Sequence, residues 1–278
     1  SRSDDYNFPD WKGMRFELVS LEIPVKGSVH LSLRLENREH KDVFASLCAD
    51  LADDLSEVSG NRRDAALASF LDRWTKFFER FGVKGLSPEK QRGMYGELCW
   101  LRSLMVNDIS YITALNAWKG CERGYHDFEI NGQVVEVKTT MTKEPRKVRI
   151  SNERQLDDRG LLSLHLFVLT LIKSEGGGES LPEIVDSIMA AVSTVPGGRR
   201  RFEQCLIAAG YLEIHTHLYP NNYTVKRDEL FRVEEGFPRI TDVPDGLGDI
   251  KYSLVVGAVS DFLSDKDEYL AMLKGAKK

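Results

Sequence analysis

Asn131-Gly132, set between the alternating runs 125–130 and 133–140, is the feature that most narrows the folds open to this chain. A two-residue Asn-Gly connection predicts a type I′ turn, whose twist matches that of two antiparallel strands. Such a turn fixes the register, so that Ile130 faces Gln133, Phe128 faces Val135 and Asp127 faces Glu136. Alternation then sorts the side chains. Phe128, Ile130, Val135 and Val137 form an apolar face for a core, while Asp127, Glu129, Val134, Glu136 and Lys138 form the other.

Two carboxylates are thereby expected across from one another, their Cβ atoms about 4.5–5.5 Å apart. Like charges so placed destabilise a sheet unless something positive lies beside them. Lys138, on the same side as Glu136, is one candidate. A divalent cation is the other: Mg²⁺ is typically held by one or two carboxylates, with waters and substrate phosphate completing the shell. Asp127 and Glu136 suit that role, and the Val137 carbonyl offers a third ligand. The plainer reading is a solvated hairpin face, which is usually charged.

Around the hairpin, periodicity predicts a mixed order of helices and strands. Residues 14–24 and 28–36 alternate about Gly27, and residues 40–57 and 62–82 have helical spacing. Ser87-Pro88 caps and opens a helix to about Val106. Strands are expected at 112–118, 125–130, 133–139 and 161–171, the last apolar on both faces and so central and covered. Ser180-Leu181-Pro182-Glu183 is a capping box for a helix to about Val192, and a helix over 199–209 stops at Gly210. Strands near 211–218, 223–233 and 251–259 and a helix over 261–273 follow. The expected class is α/β, with a small N-terminal α/β unit over 1–85 and the remaining elements in a domain over 86–278.

Composition excludes several alternatives. With 42% hydrophobic residues and a net charge of −5 over 278 residues, the chain is neither disordered nor basic in bulk. Contact with nucleic acid would need a local basic patch. No run reaches the roughly 18–20 apolar residues that span a bilayer, and 1–5 is polar, so a cytoplasmic location without membrane attachment is expected. Cys48, Cys99, Cys121 and Cys205 lack paired spacing and read as reduced, mostly buried thiols.

Asp127…Glu136-Val137-Lys138, on a strand pair that follows a Glu-bearing helix, resembles the PD-(D/E)XK nuclease superfamily. Gly93-x-x-Gly96-Glu97-Leu98, Trp118, His126-Asp127-Phe128, Ile150-Ser151, Gln155-Leu156, Phe237-Pro238-Arg239-Ile240 and Tyr252-Ser253-Leu254 extend the likeness to a PD-(D/E)XK family of bacterial genomes, over roughly 90–260. The usual Pro-Asp is His126-Asp127 here.

The resemblance implies a restriction-endonuclease-like core, a central mixed β-sheet flanked by helices, and Mg²⁺-dependent endonuclease activity on DNA, with Mn²⁺ able to substitute. It implies that Asp127 and Glu136 hold the metal, that Lys138 orients the attacking water, and that Glu97 adds a further carboxylate. Gln155 resembles a helix glutamine that some members set beside the site, though it could equally cap its own short helix. It further implies a role in restriction or antiphage defence, with an ATPase or helicase partner or a homodimer as options. The alternative is a catalytically silent nuclease-like subunit that binds DNA or protein.

Lys143, Arg146, Lys147, Arg149 and Arg154, with Arg159 beyond them, are the expected footprint of a phosphate backbone in an acidic chain. They read equally as a charged edge strand. Arg199-Arg200-Arg201 opens a helix where the macrodipole disfavours cations. His126 is expected as a satisfied, partly buried core histidine. His215 and His217 are expected on one strand face without a third metal ligand.

Overall fold

The computed structural model describes residue 11 and residues 13–20, 29–56, 58–59, 62–81, 84–122, 124–141 and 143–275. Its backbone divides into two units, the described parts of Ser1–Gly85 with Gly210–His217, and of Leu86–Ala209 with Leu218–Lys278.

In the first unit, β1 (Met14–Ser20) and β2 (Val29–Leu35) pair antiparallel, Met14 opposite Leu35. The turn expected at Gly27 lies outside the described residues. Helices α1 (Lys41–Ser56) and α2 (Arg62–Phe81) follow the apolar spacing read from sequence, and Phe70, Trp74 and Phe77 are fully buried. The Arg73 guanidinium bridges Asp50 and Asp54 between these helices, and Trp74 Nε1 donates to Asp50 at 2.8 Å.

The second unit opens with α3 (Pro88–Val106), where the Ser87 hydroxyl accepts from Lys90 N–H and Pro88 begins the first turn. Next comes α4 (Tyr111–Ala117), in a segment expected as a strand. Its short apolar run fits either period. The Ser110 hydroxyl accepting from Thr113 N–H at 3.2 Å settles it as a helix.

The hairpin pairs β3 (Phe128–Ile130) with β4 (Gln133–Thr140), and β5 (Lys147–Ile150) leads to β6 (Ser163–Ser174). After β7 (Glu179–Ser180), the reciprocal Ser180–Glu183 capping box starts α5 (Leu181–Val192). Then come α6 (Gly198–Ala209), β8 (Asn222–Val233), β9 (Tyr252–Val255), β10 (Leu263–Ser264) and α7 (Lys266–Gly275).

Three further expectations shift. Residues 213–218 form a 3-10 helix in place of a strand, so His215 and His217 share no strand face. After Val255 the chain turns into a 3-10 helix to Phe262. The last helix waits until Lys266, where Asp265 Oδ1 accepts the N–H groups of Asp267 and Glu268.

The central sheet runs β10-β8-β6-β4-β3, with β7 also on β8. The β4–β6 pair is parallel and the other pairs are antiparallel, so the sheet is mixed. Strand β6 is central and covered on both faces. On one side α3 lies directly on β4: a Cβ at Gly96 would stand 2.4 Å from Thr139 Cγ2, and Trp100 stacks 4.7 Å from Phe167. On the other, the β5–β9 pair brings Val148, Ile150 and Leu254 onto Val134, Leu164, Leu166 and Val168. This is the mixed α/β architecture, helices flanking a central mixed sheet, that a restriction-endonuclease-like fold requires. Among the described residues no helix is long and apolar enough to cross a membrane.

Candidate active site

The hairpin turn forms as its residues dictate, with φ of 50° at Asn131 and 78° at Gly132. The register is Phe128 to Val135, Glu129 to Val134 and Ile130 to Gln133. It stops one pair short of Asp127. There the chain leaves the ladder, because the Asp127 carbonyl accepts from the Lys119 and Gly120 N–H groups at 2.8 and 3.0 Å. The Asp127 carboxylate takes over the edge of β4 instead, Oδ2 accepting from Val137 N–H at 2.8 Å. The expected face-to-face ladder pair of Asp127 and Glu136 is therefore replaced by a carboxylate wedged against the strand edge.

Glu136 is a second correction. On the plainer reading its face of β4 meets solvent, yet only 1% of the residue is exposed, because the β5–β9 layer covers that side. Lys138 Nζ donates to Oε1, while Oε2 is buried with no hydrogen-bond partner. Burial first, and the Asp127 charge second, push the Glu136 carboxyl up to about 8. For Lys138 burial opposes the charge, but attraction to Glu136 and Asp127 outweighs it and the pKa is raised, so the ammonium persists.

Glu97, half-buried on α3, accepts from Trp118 Nε1 at 2.7 Å. Trp118 in turn bridges Phe128, which anchors the 118–120 segment along β3. A Cβ at Gly120 would stand 2.8 Å from Glu97 Oε2 and 2.9 Å from Asp127 Oδ1. The bare Cα of Gly120 is what lets these two carboxylates approach. Sequence reasoning singled out Trp118 only as part of a motif and missed Gly120, whose importance has no local signal.

Asp127, Glu136, Lys138 and Glu97 thus act on one another electrostatically. Among the described residues no three or more His, Cys, Asp or Glu side chains are arranged to hold a metal. The orphaned Glu136 Oε2 and the glycine cradle between Glu97 and Asp127 nevertheless suit a hard cation with an incomplete protein shell. Val137 lies in the ladder opposite Phe167.

The remaining expected residues divide. Gln155 Oε1 accepts from Ser151 N–H at 2.8 Å, the local capping role. Lys143, Lys147, Arg149 and Arg154 are exposed, with Lys147 and Arg149 on the outer side of β5. Arg154 lies 5.0 Å over the Tyr125 ring and bonds its hydroxyl. Arg146 must be withdrawn from the phosphate-facing set. It is 8% exposed, and its guanidinium binds Glu229 and the Thr170 hydroxyl across the sheet. Arg159 pairs with Asp157, and Arg199 with Glu203. His126, expected to be satisfied, has a buried Nε2 with no hydrogen-bond partner, and burial lowers its pKa. None of the four cysteines is in a disulfide, and Cys48 is only half-buried.

A family model described as "Putative PD-(D/E)XK family member (DUF4420)" matches residues 5–257. That span reaches well upstream of the 90–260 stretch over which the motifs were read. No curated protein matches the chain, and no solved structure does.

Proposed function

The chain belongs to this PD-(D/E)XK family, and from that premise we propose that it is a metal-dependent endonuclease acting on DNA. The observation that carries the reading is the Glu136 carboxylate: fully buried, one oxygen on Lys138, the other unpartnered, and set against Asp127. A buried polar group without a partner costs about 1–3 kcal/mol, more when charged. A chain that retains one at such cost has a use for it.

In this reading Asp127 and Glu136, with the Val137 carbonyl, hold Mg²⁺ or Mn²⁺, and Glu97 adds a carboxylate across Gly120. The cation would supply charge neutralisation on the phosphate and a lowered pKa for bound water. Lys138 would place an ammonium near the phosphoryl oxygens on which negative charge grows, a preorganised stabilisation that bulk water cannot match. Asp127, tied to Val137 N–H, keeps one oxygen committed to the strand and so a fixed orientation. Gln155 holds the 151–156 turn in shape, the exposed Lys143, Lys147 and Arg149 meet the phosphate backbone, and Arg154 joins the nucleic-acid face through the Tyr125 ring it lies over. A place in restriction or antiphage defence in the cytoplasm, with an ATPase or helicase partner or as a homodimer, accords with the bacterial family the motifs resemble.

The absence of a ready three-ligand group among the described residues favours a second reading, a nuclease-like subunit that binds DNA or protein without cutting. Cleavage of plasmid and linear DNA with Mg²⁺ or Mn²⁺ separates the two. The parent should cut, and Glu136→Gln and Lys138→Ala should not, with folding preserved by circular dichroism. Equal cleavage by parent and variants removes the nuclease reading.

A further inference from the structure

Beside the carboxylates lies a cavity of 1040 Å³. Lys119 and His126, which flank Gly120 and Asp127, contribute to its wall, so it adjoins the place where a scissile phosphate would sit. Thr241–Pro244 and Leu247 also line it. The volume lies just above the roughly 300–1,000 Å³ typical of small-molecule sites, large enough for a whole nucleotide.

Two features of the lining say what it would hold. Tyr125 is 63% exposed, and Arg154 covers one face of its ring at 5.0 Å. Leu247, at the rim, is 65% exposed. An aromatic ring backed by a guanidinium and left open is the usual platform for an unstacked base. The charges lean acidic: Lys119, Arg154 and Arg159 stand against Glu129, Glu153, Asp157 and Asp242. Asp157 neutralises Arg159 directly, and the Glu153 carboxylate accepts from Ile250 N–H. Such a lining repels a phosphate more than it attracts one. A flat, uncharged ligand with polar edges suits it, since carboxylates accept hydrogen bonds from the exocyclic amines of bases.

We propose that this cavity receives a single unpaired nucleobase of the substrate strand, stacked on Tyr125, so that the protein engages single-stranded or locally unpaired nucleic acid next to the carboxylate cluster. The inference rests on the nuclease reading for the identity of the substrate, and it adds the structural class of that substrate.

The test uses the full chain in EDTA with fluorescein-labelled 12-nucleotide single strands and blunt duplexes of the same sequence, read by anisotropy. The parent should bind the single strand more tightly than the duplex. Tyr125→Ala should weaken single-strand binding about tenfold, in line with the cost of losing one base–aromatic stack, and leave duplex binding unchanged. Tyr125→Phe, which keeps the ring, should bind as the parent does. An unchanged single-strand affinity in Tyr125→Ala overturns the proposal, as does an equal loss for both substrates or a parent that prefers duplex. Those outcomes leave the Glu136→Gln cleavage result untouched. Conversely, a Glu136→Gln protein that cuts like the parent would dismiss the nuclease reading while a selective Tyr125→Ala defect still supported the base site.

Discussion

Replacing Gly120 with alanine probes the cradle directly. Its φ is not in the left-handed region, so the substitution adds only a methyl group. That methyl would stand 2.8 Å from Glu97 Oε2 and 2.9 Å from Asp127 Oδ1, several tenths of an ångström inside ordinary contact. Neither oxygen can retreat at no cost. Glu97 Oε2 holds the Trp118 indole N–H at 2.7 Å, and the second oxygen of Asp127 holds Val137 N–H at 2.8 Å. Escape stretches or breaks a hydrogen bond to a charged group, worth about 1.5–3 kcal/mol, or forces a backbone shift of similar cost.

The expected loss for Gly120→Ala is therefore about 1–3 kcal/mol. For a unit of this size it lowers Tm by roughly 2–12 °C. Cleavage should fall more than tenfold, because both carboxylates are displaced from one another's reach. Gly93→Ala, in the middle of α3 with nothing within 4 Å of the added methyl, is the control. It should gain about 0.5–1 kcal/mol from backbone entropy alone. Thermal denaturation followed by circular dichroism, together with the plasmid cleavage assay, reads both. A Gly120→Ala protein with the parent's Tm and the parent's activity would falsify the cradle argument.

Burial, with Arg232 nearby, lowers the His165 pKa from 6.5 to about 4. The imidazole is therefore neutral when folded, and its contribution to stability is full above pH 6.5 and lost as pH falls toward 4, about 3 kcal/mol in all. His165→Phe, which keeps a ring against Tyr269 at 4.2 Å, should flatten the urea-denaturation pH profile between those limits; superimposable profiles would contradict it. Along the basic edge, Arg146→Ala should cost about 3 kcal/mol, since Glu229 and Thr170 lose their partner. Lys147→Ala and Arg149→Ala should stay within about 0.5 kcal/mol yet each reduce the salt dependence of DNA binding by about one phosphate contact. Equal stability losses at all three positions would refute that division.

Much of the fold was legible because its signals are local. Ser87 and Ser180 cap the helices they were expected to cap, and the 161–171 run is indeed the central covered strand. The errors fell where a short apolar run fits two periods, as at 111–117 and 213–218, and hydrogen bonds to neighbours three residues away decided the outcome. For the candidate site, Glu97, Asp127, Glu136 and Lys138 could be singled out from motif and register. Its arrangement could not, because alternation sorts faces only while the ladder lasts, and β3 begins only at Phe128, one residue after Asp127.

The sequence by itself determined the Asn131-Gly132 turn, the register that follows from it, and the acidic and basic groups carried on β4, since each depends on residues a few positions apart. Tertiary structure decided which of those charges are buried and what they touch. Glu136 lost its solvent to the β5–β9 layer, Asp127 was drawn to the strand edge by the 118–120 segment, and Arg146 turned inward to a partner 83 residues away. Dielectric environment and charge pairing are set by whatever packs alongside, and those neighbours come from distant parts of the chain.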